Sequence, residues 1–201
     1  MSSDSRALSR SLLDLCRMRK LTIVTAESCT GGLVAAALTD IPGSSDVVDR
    51  GFVTYSNEAK QAMLGVKPAT LATFGAVSKE TATAMAFGAL ENADADLSVA
   101  ITGIAGPGGA TPGKPVGLVH FAAAARDGRL IHREVRFGAI GRSAVRQRSV
   151  AEALKMLMDI ARGPKAPKKV VQAAATRSRP RKTAVKRNPA ATATRRRPKR
   201  T

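Results

Sequence analysis

The sequence predicts an α/β domain, a three-layer α/β/α sandwich around a mixed sheet, followed by a disordered basic C-terminal tail. Three observations predict it. Strand-like and helix-like segments alternate over most of the chain. Two apolar or alternating runs meet at Asp127-Gly128, a strong hairpin signal that adds antiparallel pairing. The charge also divides sharply near Gly163: residues 163–201 hold 14 of the 33 Lys and Arg and none of the 15 Asp and Glu, so only +4 of the formal +18 falls on residues 1–162. About 160 residues make one domain able to bury roughly 68–70% of its unfolded-chain surface, with no need of a disulfide or metal.

The elements follow in order. Leu8, Leu12 and Cys16 at fourfold spacing, with Asp4 or Ser5 as cap, predict a first amphipathic helix over 4–19. Leu21–Thr25 reads as a strand, residues 25–32 as a polar turn, and Leu33–Leu38 as an alanine-rich helix. Pro42-Gly43 marks a turn before a second strand, Arg50–Tyr55. Asn57 is the expected cap of a helix over Glu58–Leu64 that Gly65 ends. Ser78 caps a further helix to about Asn92, and Leu97–Thr102 reads as a buried strand. A loop rich in Gly and Pro, 103–115, leads into the hairpin Val116–Ala125 and Leu130–Phe137. The last helix, Ser143–Arg162, carries Val150, Leu154, Leu157, Met158 and Ala161 on one stripe. Sheets of this kind bind ligands in loops beyond strand ends, so the turn after residue 25, the 55–60 segment and the 103–115 loop are expected to converge.

Composition narrows the function classes. Cys16 and Cys29 lie 13 apart without a C-x-x-C pattern or a secretion-type leader, so a reducing, cytoplasmic setting is expected. The longest apolar runs, Leu33–Leu38 and Leu118–Ala125, fall far short of the roughly 20 residues that span a bilayer. A soluble protein with no membrane partner is expected. His120 and His132 sit inside the hairpin strands and form no metal-ligand pattern, so no metal is expected.

Ser28 stands where a strand gives way to a helix, beside unpaired N–H groups that favour developing negative charge. Serine needs a base, and neither histidine is well placed to serve. The G-x-S-x-G elbow is missing because Ala26 occupies its first glycine position, and no Ser-x-x-Lys motif occurs. A lysine can act as base once its pKa falls from about 10.4 toward roughly 7–8, and Lys60 is the best candidate. Residue types alone favour plainer readings, in which Ser28 or Thr30 caps a helix and Lys60 is a solvated surface cation.

Six ordered segments shift that balance. Thr25-Ala26-Glu27-Ser28-Cys29-Thr30-Gly31-Gly32, Tyr55-Ser56-Asn57-Glu58-Ala59-Lys60, Ala76-Val77-Ser78, Ile101-Thr102-Gly103-Ile104-Ala105-Gly106-Pro107, Lys114-Pro115-Val116-Gly117-Leu118-Val119 and Arg142-Ser143-Ala144-Val145-Arg146 resemble the signature blocks of the CinA C-terminal-domain family, over about residues 5–161. The resemblance implies a nicotinamide-nucleotide amidohydrolase that converts nicotinamide mononucleotide to nicotinic acid mononucleotide and ammonia without a cofactor. Carried over by residue, Ser28 is the nucleophile, Lys60 its base, and Tyr55 orients or relays the proton. Glu27, Thr30, Gly31, Gly32, Thr102, Gly103 and Arg142 are the implied substrate-binding residues, Arg142 for the phosphate. Where the family usually has Gly-Asp-Arg, this chain has Ile140-Gly141-Arg142. Cys29 is expected to be a small buried residue rather than a second nucleophile. A homodimer is implied, as is a stand-alone form without the N-terminal pyrophosphatase-like domain of some relatives.

Two rivals have a basis in sequence. Gly108–Lys114 fits G-x-x-x-x-G-K, yet Pro115 replaces the magnesium-binding Ser or Thr and a strand follows where a helix should begin, which argues against a nucleotide triphosphate. The tail, Gly163–Thr201, has five prolines and no aromatic or acidic residue, so it is expected to stay disordered and to bind DNA or RNA through phosphates alone. A nucleic-acid-associated protein on an inactive scaffold is the alternative function.

Overall fold

Strands of five to eight residues, buried along nearly their whole length, build the centre of a five-stranded sheet, and helices close both of its faces. A computed structural model of the chain describes residues 3–164; the expectations for the basic tail beyond residue 164 lie outside the described residues. The strands are β1 (Ile23–Glu27), β2 (Val48–Val53), β3 (Leu97–Gly103), β4 (Leu118–Ala125) and β5 (Leu130–Arg136). The helices are α1 (Ser3–Arg19), α2 (Leu33–Thr39), α3 (Asn57–Leu64), α4 (Pro68–Phe74), α5 (Lys79–Glu91) and α6 (Arg142–Arg162).

The sheet order is β2-β1-β3-β4-β5, with β1 parallel to both neighbours and β4 antiparallel to β3 and β5. The mixed three-layer sandwich expected from sequence is the fold observed. One layer, α1, α2 and α6, packs on Ile23, Leu97, Val99, Ile101, Val119 and Phe121. The other, α3, α4 and α5, packs on Val24, Ala26, Ala100, Ala122 and Ala124. The chain leaves β1 for β2 on one side and returns to β3 on the other, so a crevice opens at the carboxyl end of β1.

Several boundaries differ from expectation. β1 and β2 each lie two residues away from the predicted spans, β1 later and β2 earlier. The cap of α3 is Ser56, whose Oγ accepts from the Ala59 N–H at 3.0 Å, rather than Asn57. Helix α4 was not anticipated; Pro68 begins it and Gly75 ends it.

Gly88 sets how closely α5 approaches α3. A Cβ there would sit 1.9 Å from the Leu64 carbonyl oxygen, at the end of the helix that carries Lys60. Gly88→Ala is therefore expected to destabilise the fold by about 1–3 kcal/mol, the usual cost of overpacking, read by urea denaturation.

Candidate active site

Alternation along β1 divides its last residues between the two faces of the sheet. Ile23, Thr25 and Glu27 face the α2 and α6 layer, whereas Val24, Ala26 and Ser28 face α3. The strand is extended past Glu27 on both sides: the Ser28 N–H donates to the Ile101 carbonyl at 2.9 Å and the Thr54 N–H to the Glu27 carbonyl at 2.8 Å. Gly31 and Gly32 then turn the chain with φ of 59° and 92°, values that a side chain seldom tolerates.

Ser28 meets Lys60 at this turn. Lys60 Nζ donates to Ser28 Oγ at 3.1 Å and to the Thr54 carbonyl at 2.8 Å. Its side chain is on the buried face of α3, one turn before Leu64, and is only 1% exposed; Ser28 is 9% exposed. Among the described residues no carboxylate pairs with Lys60. Burial holds its pKa below the ordinary lysine value, opposed by Cys29 and Glu58. The solvated lysine of the plainer reading is not what the fold makes of it.

The backbone donors of the turn are divided. Gly31 N–H bonds the Ser28 carbonyl at 3.0 Å, while the N–H groups of Gly32, Val34 and Ala35 go to Glu27. That of Thr30 bonds no backbone acceptor among the described residues, and that of Cys29 is turned toward its own thiol. Cys29 is buried, and burial pushes its thiol up to about 12, which leaves it an inert thiol at neutral pH.

The other implied site residues have mixed fates. Glu27 was expected to touch substrate, but it is fully buried and its carboxylate faces α2. Thr30 is also fully buried, and its carbonyl accepts from Arg146 Nη2 at 2.9 Å. Thr102 Oγ1 donates to the Ala76 carbonyl at 2.7 Å, tying the end of β3 to the segment before α5. Gly103 lies against β4, where a Cβ would meet the Leu118 carbonyl oxygen at 2.7 Å.

Tyr55 is 60% exposed, and its hydroxyl accepts from Arg142 Nη2 at 2.7 Å, not from Lys60. Arg142 Nη1 donates to the Gly106 carbonyl at 3.1 Å, so one guanidinium links the loops after β2 and β3 to the start of α6. Gly141, where the family usually has Asp, takes φ 92° as the residue before α6, a conformation in which an Asp would be strained. Arg142 is anchored by Gly106 and Tyr55 in place of a carboxylate.

Residues outside the site are equally clear. Lys114 Nζ donates to the Phe74 carbonyl at 2.7 Å at the end of α4, and strand β4 follows its loop, so Gly108–Lys114 is no phosphate cradle. His120 Nδ1 and His132 Nε2 stand 3.2 Å apart on the α5 face, their pKa values lowered first by burial. Among the described residues no cluster of three His, Cys, Asp or Glu side chains is able to hold a metal, and no helix is long and apolar enough to cross a membrane. Sequence reasoning missed the Thr54 carbonyl and Arg146; the available signal was Arg146 one helical turn after Arg142.

Sequence and fold both resemble those of known proteins. The sequence profile described as CinA C-terminal domain matches residues 5–161. The chain is 50% identical over 155 residues to the nicotinamide-nucleotide amidohydrolase PncC of Escherichia coli strain K12, covering 77% of this chain and 93% of that protein. It is 56% identical over 135 residues to a CinA-like protein of Mycobacterium marinum, covering 67% of this chain but 32% of that one. The chain thus spans about a third or less of the first such CinA-like relatives. The crystal structure of the competence/damage inducible protein CihA from Agrobacterium tumefaciens superposes with a TM-score of 0.79 at 54% identity, covering 80% of this chain and 97% of that one. By sequence and by fold, the chain belongs to the CinA C-terminal domain family.

Proposed function

We propose that this protein is a nicotinamide-nucleotide amidohydrolase that cleaves the carboxamide of nicotinamide mononucleotide to the carboxylate and ammonia, with Ser28 as nucleophile and Lys60 as base. The observation that carries the reading is the 3.1 Å bond between Lys60 Nζ and Ser28 Oγ in a buried setting, with no carboxylate ion-paired to Lys60 among the described residues. Similarity to the Escherichia coli amidohydrolase along nearly its whole length supports the substrate class.

The chemistry proceeds in two halves. Neutral Lys60 takes the Ser28 proton as Oγ attacks the carboxamide carbon, and the resulting ammonium gives a proton to the departing nitrogen, which leaves as ammonia. The Thr30 N–H, without a backbone acceptor among the described residues, is the donor open to the oxyanion. Water, deprotonated by Lys60, then attacks the Ser28 ester and releases the acid. Arg142, an exposed cation at the mouth, suits the phosphate, and Tyr55 orients it through their hydrogen bond. Ammonia release on incubation with nicotinamide mononucleotide tests the reading; absence of release from the folded protein would favour an inactive scaffold.

The basic stretch 163–201 supports a second capacity alongside the first, non-specific binding of DNA or RNA by a tail appended to domain 1–162. Its 14 cations without an acid or aromatic favour phosphate contacts over base stacking. Log affinity is expected to fall with log salt at about −0.9 per phosphate neutralised on duplex DNA. A chain ending at residue 162 is expected to lose this binding and keep amidase activity; equal DNA affinity of the two chains by fluorescence anisotropy at low salt would refute it. A cytoplasmic homodimer completes the reading, on family resemblance, and light scattering reads the oligomeric state.

A further inference from the structure

We propose that Glu27 is a positioning residue that holds the Ser28 turn in its reactive shape, a role that rests on Ser28 being the nucleophile. Its carboxylate is buried, without an ion-pair partner among the described residues. Oε2 accepts from the N–H groups of Gly32 and Val34, both at 3.0 Å; Oε1 accepts from Ala35 N–H at 2.8 Å and from Thr25 Oγ1 at 3.3 Å. A buried charge is costly unless hydrogen bonds compensate it, and here the first turn of α2 supplies them.

The placement of these bonds gives Glu27 its function. Helix α2 has only seven residues, and the residue before it, Gly32, has no side chain to cap it. The cap comes instead from the near side of the turn, five residues upstream, so the carboxylate clasps residues 28–31 between the end of β1 and the start of α2. Two consequences follow for the reaction. Ser28 Oγ is held toward Lys60 on the opposite face of the strand. The amides of Gly32, Val34 and Ala35 are already occupied by the carboxylate, which leaves the Thr30 N–H as the donor open to a substrate oxygen.

Glu27→Gln keeps the size but turns an amide NH2 toward donors that need an acceptor. Glu27→Asp keeps the charge but lacks the reach. In the full chain acting on nicotinamide mononucleotide, Glu27→Gln is expected to lower kcat by about 10- to 100-fold, the scale of a misplaced nucleophile, with KM within threefold of the parent. Glu27→Asp is expected to fall between the two. A purely structural role would lower the thermal midpoint and leave turnover per folded molecule unchanged, so a folded Glu27→Gln protein within threefold of parental kcat overturns the proposal. Should that variant not fold, Glu27→Asp decides: parental kcat overturns the proposal, and reduced kcat with KM held supports it. Ser28→Ala runs beside them. If it retains parental kcat, the nucleophile assignment falls and takes this role with it; if it is inactive while the folded Glu27 variants work normally, only the Glu27 role falls.

Discussion

Ser28→Ala is expected to lower kcat on nicotinamide mononucleotide by about 10⁴- to 10⁶-fold while the fold and substrate affinity stay close to the parent's. The asymmetry comes from what the side chain touches. Ser28 holds its place through the backbone, its N–H donating to the Ile101 carbonyl and its own carbonyl accepting from Gly31, and among the described residues its hydroxyl hydrogen-bonds only Lys60. Alanine removes that oxygen from a buried turn without disturbing the glycines that shape it. Direct measurement of ammonia under saturating substrate, together with a thermal melt, checks both halves. More than about a tenth of parental kcat would remove Ser28 from the nucleophile's role.

Lys60 is expected to be as unforgiving, but in a different way. Lys60→Arg keeps a cation that does not deprotonate in proteins, so it should be nearly inactive, whereas an active Arg variant would mean that residue 60 only binds or positions substrate. The parent's kcat/KM should rise with pH through an apparent pKa below the roughly 10.4 of a free lysine, because burial disfavours the ammonium and the neutral amine is the active form. Stability carries the same signature. Between the lowered pKa of the folded state and about 10.4, the unfolded chain binds a proton that the folded chain does not, so stability rises with pH across that window. Lys60→Met should abolish activity and remove that group's share of the rise, as urea midpoints across the alkaline range will show.

The alternation of strands and helices, the hairpin at Asp127-Gly128 and the caps at Ser78 and Gly65 were legible because each is local: a period, a turn dipeptide or a hydroxyl before a helix. The end of β1 was not. Ala26 and Glu27 read as turn, yet they remain in the strand because α2 brings backbone donors to the Glu27 carboxylate, a contact no window of sequence contains. Helix α4 has only seven residues, about two turns, too few to establish a period, and its clearest local signal was Pro68 at its start. Within the site, Ser28 and Lys60 were each identifiable by type, but their contact arises because β2 lies beside β1 and delivers the start of α3 to the same end of the sheet. Tyr55 was given its place in the proton path by resemblance, and the bond its hydroxyl accepts from Arg142 had no local signal in the sequence.

The ties from α6 to the site bear on when the site can exist. Arg142 and Arg146 reach back 87 and 116 residues, to Tyr55 and to the Thr30 carbonyl. A chain emerging from the ribosome makes its N-terminal elements first, so β1, the Ser28 turn and α3 are all available long before the helix that braces them. Such distant contacts close late, because the loops between them must be ordered before the contacts repay it. The outer supports of the Ser28 turn therefore close only once α6 has been made, and until then β1, the turn and α3 stand without the two arginines that tie them to the rest of the domain.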